Sequence, residues 1–163
     1  MMYSDGRDEY LLTGLNRDVV RCVIDCYKRW CNQPSDIVVD LAGEDIRSQG
    51  WDIFCYLVEN VGYKEDAVGY QWIKSPARLL RDGEGDCKSM SLFIASCLHC
   101  LGRRGVFRFV NFDGGDQWTH VYIVLRDEDG RELVLDAVER DGAGMPVFDY
   151  ARRYRKKLDI AFE

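Results

Sequence analysis

The sequence predicts an α+β domain in which helices come first and an antiparallel sheet follows. Three observations lead there. Apolar residues recur at spacings of three and four through much of the first hundred residues, the period of a helix with one buried face. After Gly105 the pattern changes to short β-rich runs separated by turn residues, and a run of helices followed by a run of strands is the α+β arrangement. Between the two regimes a sharp turn, Asp82-Gly83-Glu84-Gly85, delivers the chain into a helix that begins at a cysteine.

Composition narrows the class. A chain of 163 residues is one domain, large enough for a real core. A hydrophobic share of 47% and a charged share of 31% describe an ordinary globule. The net charge of −6 argues against a general nucleic-acid binder and against an anionic membrane surface. The start, Met1 to Asp8, is polar and acidic without the apolar centre of a signal peptide, and no apolar run approaches the ~20 residues of a membrane helix. Seven cysteines, an odd number, then read as reduced thiols in a cytoplasmic protein rather than a disulfide framework. No signal for an oligomeric state is evident.

Each element has a local reason. Residues 1–15 read as a loosely ordered lead-in. Asn16 can cap a helix over Arg17–Cys31, with Val19, Val23, Cys26 and Trp30 on one face and Asn32-Gln33-Pro34-Ser35 ending it. Ile37–Ala42 fits either a strand or a helix, and Gly43–Gly50 reads as a connector. Trp51–Val61 is an amphipathic helix, with Trp51, Phe54, Cys55, Val58 and Val61 on one side and Gly62 as its stop. Tyr63–Pro76 looks irregular. Ser75 caps a short helix, Pro76–Arg81, whose proline suits the first turn. Asp86 is a good N-cap for the next helix, on which Cys87, Met90, Ile94, Leu98 and Leu101 share a face until Gly102-Arg103-Arg104-Gly105 ends it. Val106–Val110 and Trp118–Leu125 read as strands joined by an Asn111–Gln117 loop. Arg126–Arg131 is a hairpin turn and Glu132–Val138 its return strand. Residues 147–163 are amphipathic, and the basic run 152–157 is expected on a solvated helix face. One domain thus spans 1–163: a helical N-terminal extension (1–50), a core (51–140) and a C-terminal segment (141–163).

The chemistry concentrates at Cys87. A thiol at a helix N-terminus meets the positive end of the dipole and unpaired amides, which favour thiolate and can hold an oxyanion. The ordinary role of a cysteine is a buried apolar one, expected for the other six. A nucleophilic thiol needs a base, and the base an orienting group. Of two histidines, His99 lies about 18 Å along the helix from Cys87 and is too far. His120 remains. Centring the hairpin on Glu128 places Asp136 directly opposite His120, on the same face and ~5 Å away at Cβ, where an acid bonds Nδ1 and fixes the tautomer. Otherwise this is a surface cross-strand pair. Zinc is the rival chemistry. Cys22, Cys26 and Cys31, or Cys97, His99 and Cys100, supply ligand types but lack paired Cys-x2-Cys knuckles. No calcium loop pattern appears. No metal and no cofactor are expected.

Three motifs in order, Ser75-Pro76 through Gly85-Asp86-Cys87, Thr119-His120-Val121-Tyr122 and Val134-Leu135-Asp136-Ala137, resemble the transglutaminase-like cysteine peptidase superfamily, in the style of its small bacterial and phage-type members. The match covers roughly residues 51–140. It implies a papain-like fold, with the Cys helix packed on an antiparallel sheet bearing His and Asp, and catalytic Cys87, His120 and Asp136. Members of that family often carry acids after the cysteine, where this chain has Lys88 and Ser89. The expected activity is amide acyl transfer on a peptide or protein substrate, most simply hydrolysis. Transfer to an amine, or a binding module that kept the fold without the activity, are the alternatives. Gln71 is the candidate second oxyanion donor beside the Cys87 amide, with Trp51 and Tyr63 as alternatives.

Overall fold

In chain order the elements are β1 (Glu9–Thr13), α1 (Arg17–Trp30), two short 3-10 turns (Gln33–Asp36 and Val38–Leu41), α2 (Ile46–Asn60), β2 (Gly62–Tyr63), β3 (Tyr70–Lys74), α3 (Pro76–Asp82), β4 (Glu84–Gly85), α4 (Cys87–Cys100), β5 (Gly105–Asn111), β6 (His120–Arg126), β7 (Glu132–Leu135) and β8 (Lys156–Phe162). They are taken from a computed structural model, which describes residues 9–13 and 17–163. Asn16, the expected cap of α1, lies outside the described residues.

Helix α4 is central. Every residue from Lys88 to Leu98 is buried, so the helix is enclosed on all sides rather than on one apolar stripe. One flank meets the four-stranded antiparallel sheet β7-β6-β5-β8 through Phe107, Phe109, Val121, Ile123, Leu133 and Leu135. The other flanks meet Val23, Tyr27 and Trp30 of α1, Ile53 and Leu57 of α2 and Leu79 of α3 in the same core. Its buried serines are satisfied: Ser91 Oγ donates to the Val121 carbonyl at 3.0 Å, Ser96 Oγ to the Leu92 carbonyl at 2.7 Å, and Ser89 Oγ accepts from the Lys74 amide at 3.0 Å. On the sheet's other face Arg108 is forked between Glu132 (2.9 Å to each oxygen) and Asp159 (2.8 and 2.9 Å), beside Tyr122, Val124 and Val134.

Several expectations are corrected. Helix α2 begins at Ile46, inside the expected connector, because Asp45 and Ser48 form a reciprocal capping box. Its buried side is Ile46, Ile53, Phe54 and Leu57, whereas Trp51 is 49% exposed. Ile37–Ala42 is largely 3-10 turn. The supposed lead-in contains β1, which pairs antiparallel with β3 in the supposedly irregular 63–76 stretch. The C-terminal segment ends in a strand, not a helix: β8 lies along β5, with Leu158, Ile160 and Phe162 turned inward at period two. Within the basic run, Arg152 covers the Phe112 ring at 4.3 Å. Among the described residues no helix is long and apolar enough to cross a membrane.

Candidate active site

The turn before α4 is built by two glycines. Gly83 ends α3 at a φ of 68°, the left-handed region that other residues resist. Gly85 has no room for a side chain, since a Cβ there would lie 2.4 Å from Leu79 Cδ1. Asp86 then caps α4, accepting from the Lys88 and Ser89 amides at 3.1 and 3.3 Å. Cys87 is the first helical residue, as the sequence predicts.

Cys87, His120 and Gln71 line one cleft of about 310 Å³ at the end of the sheet where β6 begins; Tyr63, Trp118 and Phe109 complete much of its wall. Asp136 lies behind His120 and bonds it at 2.6 Å, both residues being buried. The pairing differs from the expected one in two respects. The hairpin centres on Asp129, because Ile123 pairs with Leu135 and Arg126 with Glu132. Asp136 follows the last ladder residue and is offset from His120 by two positions; it shares the face and reaches diagonally. The nitrogen it meets is Nε2, not Nδ1, which leaves Nδ1 for a partner in the cleft. Phe112 stacks on the imidazole with centroids 5.9 Å apart. Among the described residues no hydrogen bond joins Cys87 to His120.

The thiol is not the ready thiolate that its helix position suggests. Burial pushes Cys87 up to about 12, and the charges of Asp136 and Asp66 act in the same direction. Backbone amides of Val121 and Lys88 bond the sulfur and pull the other way without prevailing.

Two features have little signature in sequence. Lys88 is a buried cation in the first turn of α4, where the helix dipole disfavours one. Its ammonium contacts the Asp86 carboxylate and lies 3.1 Å from Asp66 Oδ2, which also accepts from the Trp72 amide at 2.6 Å. Burial still holds the lysine below its ordinary range. The Asp66 partner comes from a stretch with no readable pattern. Glu139 is the second: its carboxylate, Asp136 and His120 bring ligand-type atoms within 4.8 Å of one another. Of the alternative oxyanion donors, Tyr63 lines the cleft, its hydroxyl donating to Glu65 at 3.3 Å. Burial raises that phenol above its ordinary range. Trp51 instead packs edge-on against Phe148 at 5.0 Å, and it is not on the cleft wall. His99 bonds Tyr27 and the Glu163 carbonyl at the opposite end of α4.

No family model and no curated protein matches this chain. Solved structures do. The calcium-bound LapG of Legionella pneumophila superposes with a TM-score of 0.57 at 16% identity, over 88% of this chain and 83% of LapG. A candidate protease from Parabacteroides distasonis gives 0.57 at 13% identity, over 75% of this chain and 26% of that one. A candidate cysteine protease from Cytophaga hutchinsonii gives 0.53 at 12% identity, over 94% and 62%. At these identities the likeness is one of fold. The chain has the α+β fold of the transglutaminase-like cysteine peptidases, with the cysteine helix against an antiparallel sheet.

Proposed function

We propose that this protein is a cysteine-dependent amide acyl-transfer enzyme, acting as a peptidase or amidase. The observation that carries the reading is the buried His120–Asp136 pair at 2.6 Å, opening with Cys87 onto one cleft in a fold shared with cysteine peptidases. Cys87 Sγ passes its proton to Nδ1 of His120 and attacks the carbonyl carbon. Asp136 holds Nε2–H and stabilises the imidazolium. The Cys87 amide, which the Asp86 cap leaves unclaimed, and the Gln71 side chain receive the oxyanion. Collapse breaks the C–N bond as His120 protonates the departing amine. Water, deprotonated by His120, then attacks the thioester, releasing the acid and returning the proton to Cys87. We assign water as acceptor; transfer to an amine would pass through the same acyl-enzyme.

The test is mass-spectrometric mapping of brief, substoichiometric iodoacetamide labelling in wild type, His120→Ala and Asp136→Asn. Cys87 should label ahead of Cys55 and Cys100, the other two cysteines that are part-exposed, and His120→Ala should remove that lead, by roughly 100-fold or more. A Cys87 that reacts no faster than those two, or equally well without His120, overturns the reading in favour of a binding module on the same fold.

A further inference from the structure

The cleft has a neighbour. A second cavity of about 380 Å³ shares Glu65, Asp66 and Asp86 with it and is otherwise walled by Tyr70, Trp72, Ala67 and the stem of Lys64, over Lys74, Gly85 and Ser89. Strand β3 divides the two. Successive residues of a strand face opposite ways, so Gln71 lines the Cys87 cleft while Tyr70, Trp72 and Lys74 line the second cavity. One strand therefore presents a polar side chain to the nucleophile and two aromatic rings to the adjoining space.

Those rings are left open. Tyr70 is 49% and Trp72 43% exposed, and among the described residues neither stacks on another aromatic ring. Most of the charges around them are paired; Glu65 is the exception, accepting from the neutral Tyr63 hydroxyl at 3.3 Å. Lys64 pairs with Glu84 at 2.7 Å. Lys74 pairs with Asp82 at 3.0 Å and donates to the Glu84 carbonyl, and Lys88 holds Asp66 and Asp86. A cationic guest finds only Glu65 outside these pairs and an anionic guest must break one of them, whereas an apolar guest meets open aromatic surface without disturbing any. The volume falls within the range of ligand pockets, ~300–1,000 Å³.

We propose that this cavity is the substrate-selecting subsite of the cleft, taking an uncharged apolar or aromatic side chain from a residue flanking the amide presented to Cys87. This rests on the acyl-transfer reading above. Its wall is fixed to the nucleophile helix through Asp66, which joins the Trp72 amide to Lys88, so a side chain seated on Trp72 sets the register of the substrate at Cys87.

The subsite can be tested without turnover. Full-length Cys87→Ala protein is titrated with N-acetyl-tryptophanamide, N-acetyl-leucinamide and N-acetyl-lysinamide, following the Trp72 indole and the Ala67 and Gly85 amides by NMR. The tryptophan and leucine amides should give saturable shifts, and the lysine amide should not. Trp72→Ala should weaken binding at least tenfold. Ala67→Trp, which fills the cavity from an exposed loop position, should do the same if Trp72→Ala fails to fold. Absence of saturable shifts, stronger binding by the lysine amide at Glu65, or indifference to the Trp72 and Ala67 variants overturns the proposal. The two failures separate cleanly. A Cys87 that is inert to iodoacetamide overturns both readings, whereas a reactive, His120-dependent Cys87 with no amide binding overturns the subsite alone.

Discussion

Replacing Lys88 with methionine preserves most of the side chain's length and removes its charge. The ammonium sits 3.1 Å from Asp66 Oδ2 and against Asp86, and the three side chains are 7%, 17% and 5% exposed. At an effective dielectric of ~20, one such contact is worth roughly 5 kcal/mol of attraction. Burying the ammonium cancels much of it, as the lowered pKa of the lysine indicates. The intact cluster is therefore close to balance. The broken one is not, because Asp66 and Asp86 would be left without their shared counter-charge, and removing one side of a buried pair costs about 3–5 kcal/mol. Asp66→Asn keeps an oxygen for the Trp72 amide while deleting one carboxylate, so the double variant should recover about 2 kcal/mol. Urea unfolding of wild type, both single variants and the double variant at neutral pH gives the coupling energy. Labelling of Cys87 supplies a second readout. With Lys88 gone, the uncompensated Asp66 charge should shift its alkylation profile to higher pH, and Asp66→Asn should shift it back. A loss below about 1 kcal/mol with an unmoved profile would show that the ammonium is solvated and does not tie Asp66 to Asp86.

Other outcomes follow from the same geometry. Gly85→Ala should cost about 1–3 kcal/mol in unfolding experiments, because its Cβ would force the fully buried Leu79 out of place. Arg108→Leu should cost about 2–3 kcal/mol by the same measurement, since Glu132 and Asp159 lose forked hydrogen bonds but are open enough to regain water. Alkaline stability should also fall. Burial holds Cys26 up at about 12 against an ordinary 9.0, so above pH 9 the unfolded chain releases a proton that the folded chain keeps. The stability present below pH 9 is then lost as pH rises toward 12, by up to ~1.4 kcal/mol per unit, and Cys26→Ala should flatten that slope in urea midpoints measured across the range.

What the sequence discloses is what local rules govern. The Ser75 cap, the Asp86 cap, the glycine turn at Asp82–Gly85 and the start of α4 at Cys87 each depend on neighbours in the chain, and each is found. The β6–β7 hairpin is also local, yet its register came out two residues away, because the turn centres on Asp129. A slip of two preserves the face, which is why His120 and Asp136 still meet. Long-range pairing is where the reading fails. Strand β3 is paired by β1 some sixty residues earlier, and β8 is recruited by β5 from the far end of the chain. Neither partner is visible from inside the segment. Lys88 illustrates the same limit for a site. Its lysine is plain in the sequence, but the carboxylate that accounts for its burial comes from a loop 22 positions upstream.

The thiol's environment bears on how the site must work. Raising Cys87 from 9.0 to about 12 corresponds to about 4 kcal/mol against forming a lone thiolate. The amides of Val121 and Lys88 are already included in that balance, so the helix start by itself does not generate the nucleophile. An imidazolium brought within ~4 Å of the sulfur contributes roughly 4 kcal/mol at an effective dielectric of ~20, an offset of the same size. On the proposed reading, thiolate forms as one half of an ion pair with His120, and reactivity follows the approach of the two groups rather than the pH alone. Asp136 acts on both partners: its charge disfavours charge on the sulfur, while its hydrogen bond to Nε2 holds the imidazole with Nδ1 turned to the cleft for the thiol proton. Asp136→Asn should therefore slow alkylation of Cys87 despite removing a charge that raises the thiol's pKa. Faster alkylation in that variant would mean that the thiolate forms without His120, and the ion-pair account would fail.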